Sequence, residues 1–262
     1  MFTIANCLHT MPDMTEKSIN TIVTSPPYNL NKSYGEYRDN VDFKEWTDLI
    51  DNLAKQSYRI LTDNGSFFLN VSPIPDKKTK EIIPLESYAY FIFKEHGFHL
   101  RNSIIWHFNN MQNCTNRLSG RWESILWFVK DLNSYKFNLD DIRVPFISKK
   151  DKRLDGKTGR NPTDVWKYEV DDAESDFWYF DVVNNMTKKK LGISEHPCVY
   201  PKQMIERIIR MTTDKGDIVF DPFLGSGTTL VAAENLQRIG LGCELGSNFK
   251  QMIINRVTNE VI

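Results

Sequence analysis

Cysteine is scarce in this chain and never paired. Cys7, Cys114, Cys198 and Cys243 lie far apart and form no CxxC element. Neither a zinc site nor a disulfide framework is expected, and no metal is assigned. Long apolar runs are also missing, so no membrane-spanning helix is expected. The first residues lack the basic region and apolar core of a signal peptide. A reducing, cytoplasmic setting is therefore expected. Charge of either sign nearly cancels, to a net −1. Any surface for a polyanion must then be local. Internal repeats and low-complexity tails are absent, which argues against solenoids and disordered linkers.

The 262 residues, 40% hydrophobic and 26% charged, suit one large α/β domain or one domain with an insertion. Short strands are expected at 2–5, 19–23, 66–71, 99–108, 124–129, 218–220 and 239–243. Phe43, Trp46, Leu49, Ile50, Leu53 and Ala54 recur at helical spacing, predicting a helix over 42–61 that Asn64-Gly65 ends. Met204, Ile205, Ile208, Ile209 and Met211 do the same over 202–213. Further helices are expected at 82–95, stopped by Gly97, and at 228–236, with a short one near Met11-Pro12. Residues 30–41 are expected to be a loop. This alternation predicts a mainly parallel sheet covered on both faces. Regularity fades between 109 and 195. There, 149–160 carries six basic residues against two acidic, 169–181 is acidic and then aromatic, and 188–190 is three lysines. Each charge run taken alone is best read as a solvated face.

Two motifs stand out. The first, Thr24-Ser25-Pro26-Pro27-Tyr28, follows the apolar strand at 19–23. Its prolines cannot extend a sheet ladder and each fixes its own φ. The chain therefore leaves the strand in a stiff turn. Ser25 and the Pro26 carbonyl are two hydrogen-bond acceptors beside the Tyr28 ring. A flat ring with an exposed amino group fits that set: it stacks on Tyr28 and points its amino hydrogens at the acceptors. A proline turn without chemistry is the alternative for this motif alone.

The second is Asp221-Pro222-Phe223-Leu224-Gly225-Ser226-Gly227-Thr228-Thr229, read as strand end, glycine loop and helix start. Gly225 and Gly227 allow a sharp bend and a close approach to a ligand. Amides at the helix start can meet a carboxylate or phosphate. Glu244 follows Asp221 by 23 residues, a placement that suits a carboxylate accepting from a ribose diol. A dinucleotide loop reads GxGxxG, but Leu230 holds the third position; a P-loop is excluded because no GK[ST] follows. A ligand with a ribose, an adenine and an amino-acid carboxylate fits better, namely S-adenosylmethionine.

Together these residues resemble the amino-methyltransferases of DNA, which methylate an exocyclic nitrogen. They resemble the beta group, in which an SPPY-type motif precedes the glycine-loop motif. The resemblance extends over nearly the whole chain and includes Gly159-Arg160-Asn161-Pro162-Thr163-Asp164-Val165-Trp166, His196-Pro197 and Tyr200-Pro201-Lys202. It implies a Rossmann-like methyltransferase fold with a doubly wound sheet and circularly permuted motif order. It also implies a catalytic half at 1–108, an inserted target-recognition region at 109–195 and a cofactor-binding half at 196–262. Ser25, Pro26, Pro27 and Tyr28 would be catalytic. Asn6, Thr24, Pro201, Asp221, Pro222, Phe223, Gly225, Ser226, Gly227, Thr228, Thr229 and Glu244 would serve the cofactor. Duplex DNA would meet Arg117, Arg121, Lys149, Lys150, Lys152, Arg153, Lys157 and Arg160, with Arg101 a further candidate. The resemblance leaves a homodimer and a cognate restriction endonuclease as candidate partners, and whether a restriction partner exists stays open.

Ser25 resembles the cytosine-N4 members, whereas Asn29 resembles adenine-N6 members. Cytosine-N4 is favoured and adenine-N6 stays open. Cys198 after Pro197 is expected to be structural, since an amine needs no covalent enzyme intermediate. Methylation of RNA or a protein glutamine is disfavoured by motif order. A nicotinamide oxidoreductase is disfavoured by the missing glycine, and a non-catalytic nucleic-acid-binding relic by the intact motifs.

Overall fold

A computed structural model describes residues 1–30, 33–34, 37–76, 78–108, 114–146, 156, 158–166, 180, 182–194, 196 and 198–261. Lys149, Lys150, Lys152, Arg153, Lys157 and Pro197 lie outside the described residues.

One eight-stranded sheet carries the fold. Its strands are β1 (Phe2–Ile4), β2 (Ile19–Thr24), β5 (Leu61–Val71), β8 (His99–His107), β9 (Trp122–Val129), β10 (Val165–Trp166), β11 (Ile218–Asp221) and β12 (Ile239–Glu244). They lie in the order β1-β12-β11-β2-β5-β9-β8-β10. Only β9 runs against the rest, pairing antiparallel with both β5 and β8. The minor strand pairs are β3 (Ser33–Tyr34) with β4 (Tyr37–Arg38), and β6 (Ile74–Pro75) with β7 (Ile82–Ile83). The first of these falls in the stretch expected to be a loop.

The helices are α1 (Cys7–Thr10), α2 (Phe43–Ile60), α3 (Leu85–Glu95), α4 (Asn185–Lys190), α5 (Lys202–Thr212), α6 (Thr228–Asn235) and α7 (Lys250–Glu260). Two separate apolar layers cover the sheet. On one side α2 and α3 bury Trp46, Ile50, Leu53 and Phe93 against Phe67 and Phe128. On the other, α5 and α6 bury Ile205, Ile208, Ile209 and Ala233 against Val23, Phe68 and Val219. Alternate residues of central strands thus face opposite layers, as burial on both sides requires.

Some boundaries and elements differ from expectation. α3 begins at Leu85 rather than 82, because Pro84 disfavours helical backbone at Ile83, which pairs in β7 instead. Asn64-Gly65 does not terminate α2. The helix stops at Ile60, and these residues form a bulge in β5, where Ile19 pairs with Leu61 but Thr21 with Ser66. α7, whose Ile253 and Met252 pack against Leu224 and Leu230, was not expected. Among the described residues no helix is long and apolar enough to cross a membrane. No group of three His, Cys, Asp or Glu among them is placed to hold a metal ion.

Candidate active site

β2 and β11 are parallel neighbours, with Thr21 opposite Val219 and Ile22 opposite Phe220. From β2 the sheet grows one way through β5; from β11 it grows the other way through β12. The carboxyl ends of such a divergent pair open a crevice. Both sequence motifs begin at this point. They are joined by a hydrogen bond from Thr24 Oγ1 to Asp221 Oδ1 of 2.7 Å. Asp221 is fully buried and accepts three more bonds, from Phe223 N (3.1 Å), Tyr200 Oη (2.7 Å) and Thr229 Oγ1 (2.7 Å). Burial pushes its carboxyl above the ordinary range while the hydroxyl donors pull it back. Asp221 therefore braces the crevice floor.

The glycine loop is held from both sides. Gly225 and Gly227 adopt φ of +55° and +83°, a region costly for other residues. Glu244, at the end of β12, receives Gly225 N at 2.8 Å and Gly246 N at 2.7 Å, one on each oxygen. A carboxylate offers about four acceptor positions, so capacity for hydroxyl donors remains. From beneath, buried Arg256 donates to Ser226 Oγ (2.8 Å) and Thr228 Oγ1 (2.7 Å) and pairs with Glu260 at 2.7 Å. The His196 ring closes the loop's outer side. Its Nδ1 donates to Cys198 O at 2.5 Å, and it packs edge-on to Phe249. Burial drags this imidazole down to about 4, so it is neutral at pH 7.

The proline turn is equally fixed. Trp46 Nε1 donates to Pro27 O at 3.0 Å. Beyond Tyr28, buried Asp39 accepts Asn29 N at 2.7 Å and Leu30 N at 3.0 Å. The Tyr28 hydroxyl meets Ser25 Oγ (2.9 Å), Asn70 Nδ2 (2.8 Å), Glu123 Oε2 (3.1 Å) and Asn70 O (3.0 Å). A phenol has one proton to give, and a carboxylate attracts it more strongly than a carbonyl. Tyr28 thus donates to Glu123 and accepts from Asn70 and Ser25. Ser25 spends its proton on Tyr28 and keeps lone pairs for another donor.

Between these walls lies a cavity of about 460 Å³. Ser25, Pro26 and Tyr28 line one side and Gly225, Ser226 and Glu244 the other. A profile of the N6- and N4-acting methyltransferase family, described as DNA methylase, matches residues 19–255. The chain belongs to the DNA methylase family. This methylase is 34% identical over 258 residues to the type II methyltransferase M.BglII of Bacillus subtilis, covering 95% of this chain and 66% of that protein. Its fold is similar to that of a PvuII DNA methyltransferase described as cytosine-N4-specific (TM-score 0.72, 22% identity, 100% of this chain and 87% of that one). It is also similar to M1.HpyAVI in its complex with SAM (TM-score 0.64, 22% identity, 98% of each chain). The Rossmann-like α/β class expected from the motifs is the class found.

Not every expected site residue reaches the cavity of the methylase. Asn6, Pro222, Phe223 and Thr228 line it, as does Pro27. Asn6 also caps α1 by accepting Leu8 N at 2.9 Å. Thr24, Asp221, Gly227 and Thr229 stand behind the wall, and Pro201 sits at the N-cap of α5. Arg117 is exposed, and Arg121 lies just before β9. β9 is the reversed strand, so its start is at the crevice end of the sheet. Arg160 Nε donates to Pro145 O at 3.1 Å. Arg101 is near the start of β8, at the opposite end from the crevice, where it donates to Tyr135 Oη at 2.6 Å.

Glu123, Asn70, Tyr200, His196 and Lys188 also line the cavity, and none was among the expected site residues, although His196 and Tyr200 belong to motifs that carry the resemblance. Asn70 is the second-last residue of β5 and Glu123 the second of β9, so both lie at the crevice end of the sheet. Only pairing β5 against β9, with Asn70 opposite Ile125, brings them together.

Proposed function

We propose that the chain is a site-specific DNA methyltransferase that acts on the exocyclic amino group of a flipped base, with cytosine-N4 favoured. The observation that carries this is the single cavity shared by the Ser25–Tyr28 turn and the Gly225–Glu244 wall. The cofactor is S-adenosylmethionine, which supplies an electrophilic methyl group when bound. The donor set suits it: Glu244 keeps acceptor capacity for a ribose, and the start of α6 offers amide donors to a carboxylate.

An aromatic amine is a weak nucleophile because its lone pair is delocalised into the ring. Ser25 Oγ and the Pro26 carbonyl accept the two amino hydrogens and turn the lone pair toward the methyl group. The gain is orientation and electrostatics, fixed before the base arrives. Tyr28 offers its ring for stacking, since its hydroxyl is already tied down. A base within a duplex must be extruded to enter. We place target recognition in 109–195 and phosphate contacts on its basic residues, with Arg117 and Arg121 at the crevice end. Adenine-N6 is the second reading, favoured by Asn29 after Tyr28.

The test is mass spectrometry and sequencing of DNA from a methylation-free host expressing the chain. N4-methylcytosine in a fixed context is expected. N6-methyladenine would move the assignment to the second reading, and unmodified DNA would refute both.

A further inference from the structure

The Tyr28 network ends on a carboxyl for which an orienting turn alone gives no reason. Glu123 lies opposite Trp106 in the sheet, at the cavity wall. Its Oε2 receives Asn70 Nδ2 at 2.6 Å and the Tyr28 hydroxyl at 3.1 Å. Because the carboxylate draws the one phenol proton, Tyr28 donates to Glu123, which leaves Ser25 as the donor across its 2.9 Å contact with Tyr28. Every hydrogen bond on the line therefore points from the proline turn toward the carboxylate. That is the polarity a proton needs in order to move along it.

We propose that Glu123 is a positioning residue that also receives the proton released by methyl transfer, through Ser25 and Tyr28. This rests on the function proposed above. As the C–N bond forms, the C–S bond breaks and its electron pair stays on sulfur, leaving a neutral thioether. The amine nitrogen then carries one proton too many. It passes that proton to Ser25 Oγ, as Ser25's own proton moves to the Tyr28 oxygen and Tyr28's to Glu123 Oε2. Glu123 ends as a neutral acid and returns its proton to water through the cavity.

Burial raises the Glu123 carboxyl, while Asn70 and Tyr28 partly restore it. A raised acid holds a proton more readily than a free one. Tyr28 is the titratable group bonded to Glu123; Cys198 acts electrostatically on Tyr28, and Lys188 and His196 line the same cavity.

The experiment compares the full chain with Glu123→Gln, which keeps the acceptor for Tyr28 but cannot take up the proton. Single-turnover methyl transfer to unmodified mixed-sequence DNA is followed from pH 5 to 9, in water and deuterium oxide. The wild type should show an acid limb and a solvent isotope effect. E123Q should be at least tenfold slower at pH 7.5, lack both, and bind S-adenosylmethionine normally in calorimetry. Without cofactor, the difference in melting temperature between the two proteins should change across the same pH range as the wild-type acid limb, since Glu123 sets both. E123Q within twofold of wild type with an unchanged pH profile would overturn the relay. So would a wild-type rate with neither acid limb nor isotope effect, whatever the variant's folding. A wild type that binds cofactor yet methylates no DNA would overturn the underlying function as well.

Discussion

The sharpest consequence of the loop geometry concerns Gly225→Ala. At φ +55° an alanine pays about 1–2 kcal/mol for its left-handed backbone. Its Cβ would also stand 2.8 Å from His196 Nε2 and 2.9 Å from Cε1. The ring cannot swing clear without losing its bond to Cys198 O and its contact with Phe249. Forced overpacking of this kind adds about 1–3 kcal/mol. The sum is about 2–5 kcal/mol, or roughly 4–20 °C in melting temperature for a domain of this size. Gly192 isolates the backbone part: its φ is +69°, and nothing lies within 4 Å of an added Cβ. Gly192→Ala should lose only about 1–2 kcal/mol. Truncating His196 to alanine should remove the steric part, so a double-mutant cycle with Gly225→Ala should show a coupling of about 1–3 kcal/mol. Displacing the loop should also weaken S-adenosylmethionine at least tenfold in calorimetry. Equal losses at Gly192 and Gly225, or strictly additive effects with His196, would refute the reasoning.

Other outcomes follow from the same geometry. Ser25→Ala and Tyr28→Ala should bind S-adenosylmethionine within about threefold of wild type yet transfer methyl at least about a hundredfold more slowly in single-turnover assays, a loss of at least ~2.7 kcal/mol; normal turnover in either would remove its role. Asp39→Ala strands the two backbone donors at Asn29 and Leu30 and should cost about 2–4 kcal/mol in urea unfolding. His196 should confer acid sensitivity. Its folded value, about 4, lies below the unfolded one, so between about 6.5 and 4 the unfolded chain takes up the proton first and stability falls as pH falls. The full loss is on the order of 3 kcal/mol. Raised carboxyls such as Asp221 and Glu244 work in the opposite sense, so the slope is best read as the difference between wild type and His196→Asn. Identical pH dependence in the two proteins would contradict it.

Much of this site was legible because its chemistry sits in contiguous stretches. The proline turn and the glycine loop each announce an unusual backbone, and glycine and proline are the residues that punctuate a chain most strongly. Alternating apolar segments gave the sheet and its principal helices. What stayed hidden was relational. Nothing in the sequence says that β9 is reversed, and only that reversal puts Glu123 beside Tyr28. Asp221 was read as a ligand residue because it opens the glycine motif; of its side-chain partners Thr229 ends that same motif, but Thr24 and Tyr200 arrive from two other places in the chain. His196 was noted for its motif, but its closeness to Gly225 depends on how the segment before α5 folds back. The Asn64-Gly65 pair misled because a turn signal and a bulge use the same residues.

The account depends on a base amine and a methyl donor meeting between Ser25 and Gly225. The most direct measurement is a structure of the full chain with its DNA target and S-adenosylhomocysteine. The expected result is a flipped base whose amino nitrogen lies between Ser25 Oγ and the Pro26 carbonyl, facing a sulfur held on the Gly225–Glu244 wall. A base seated elsewhere, or a cofactor bound away from that wall, would contradict it.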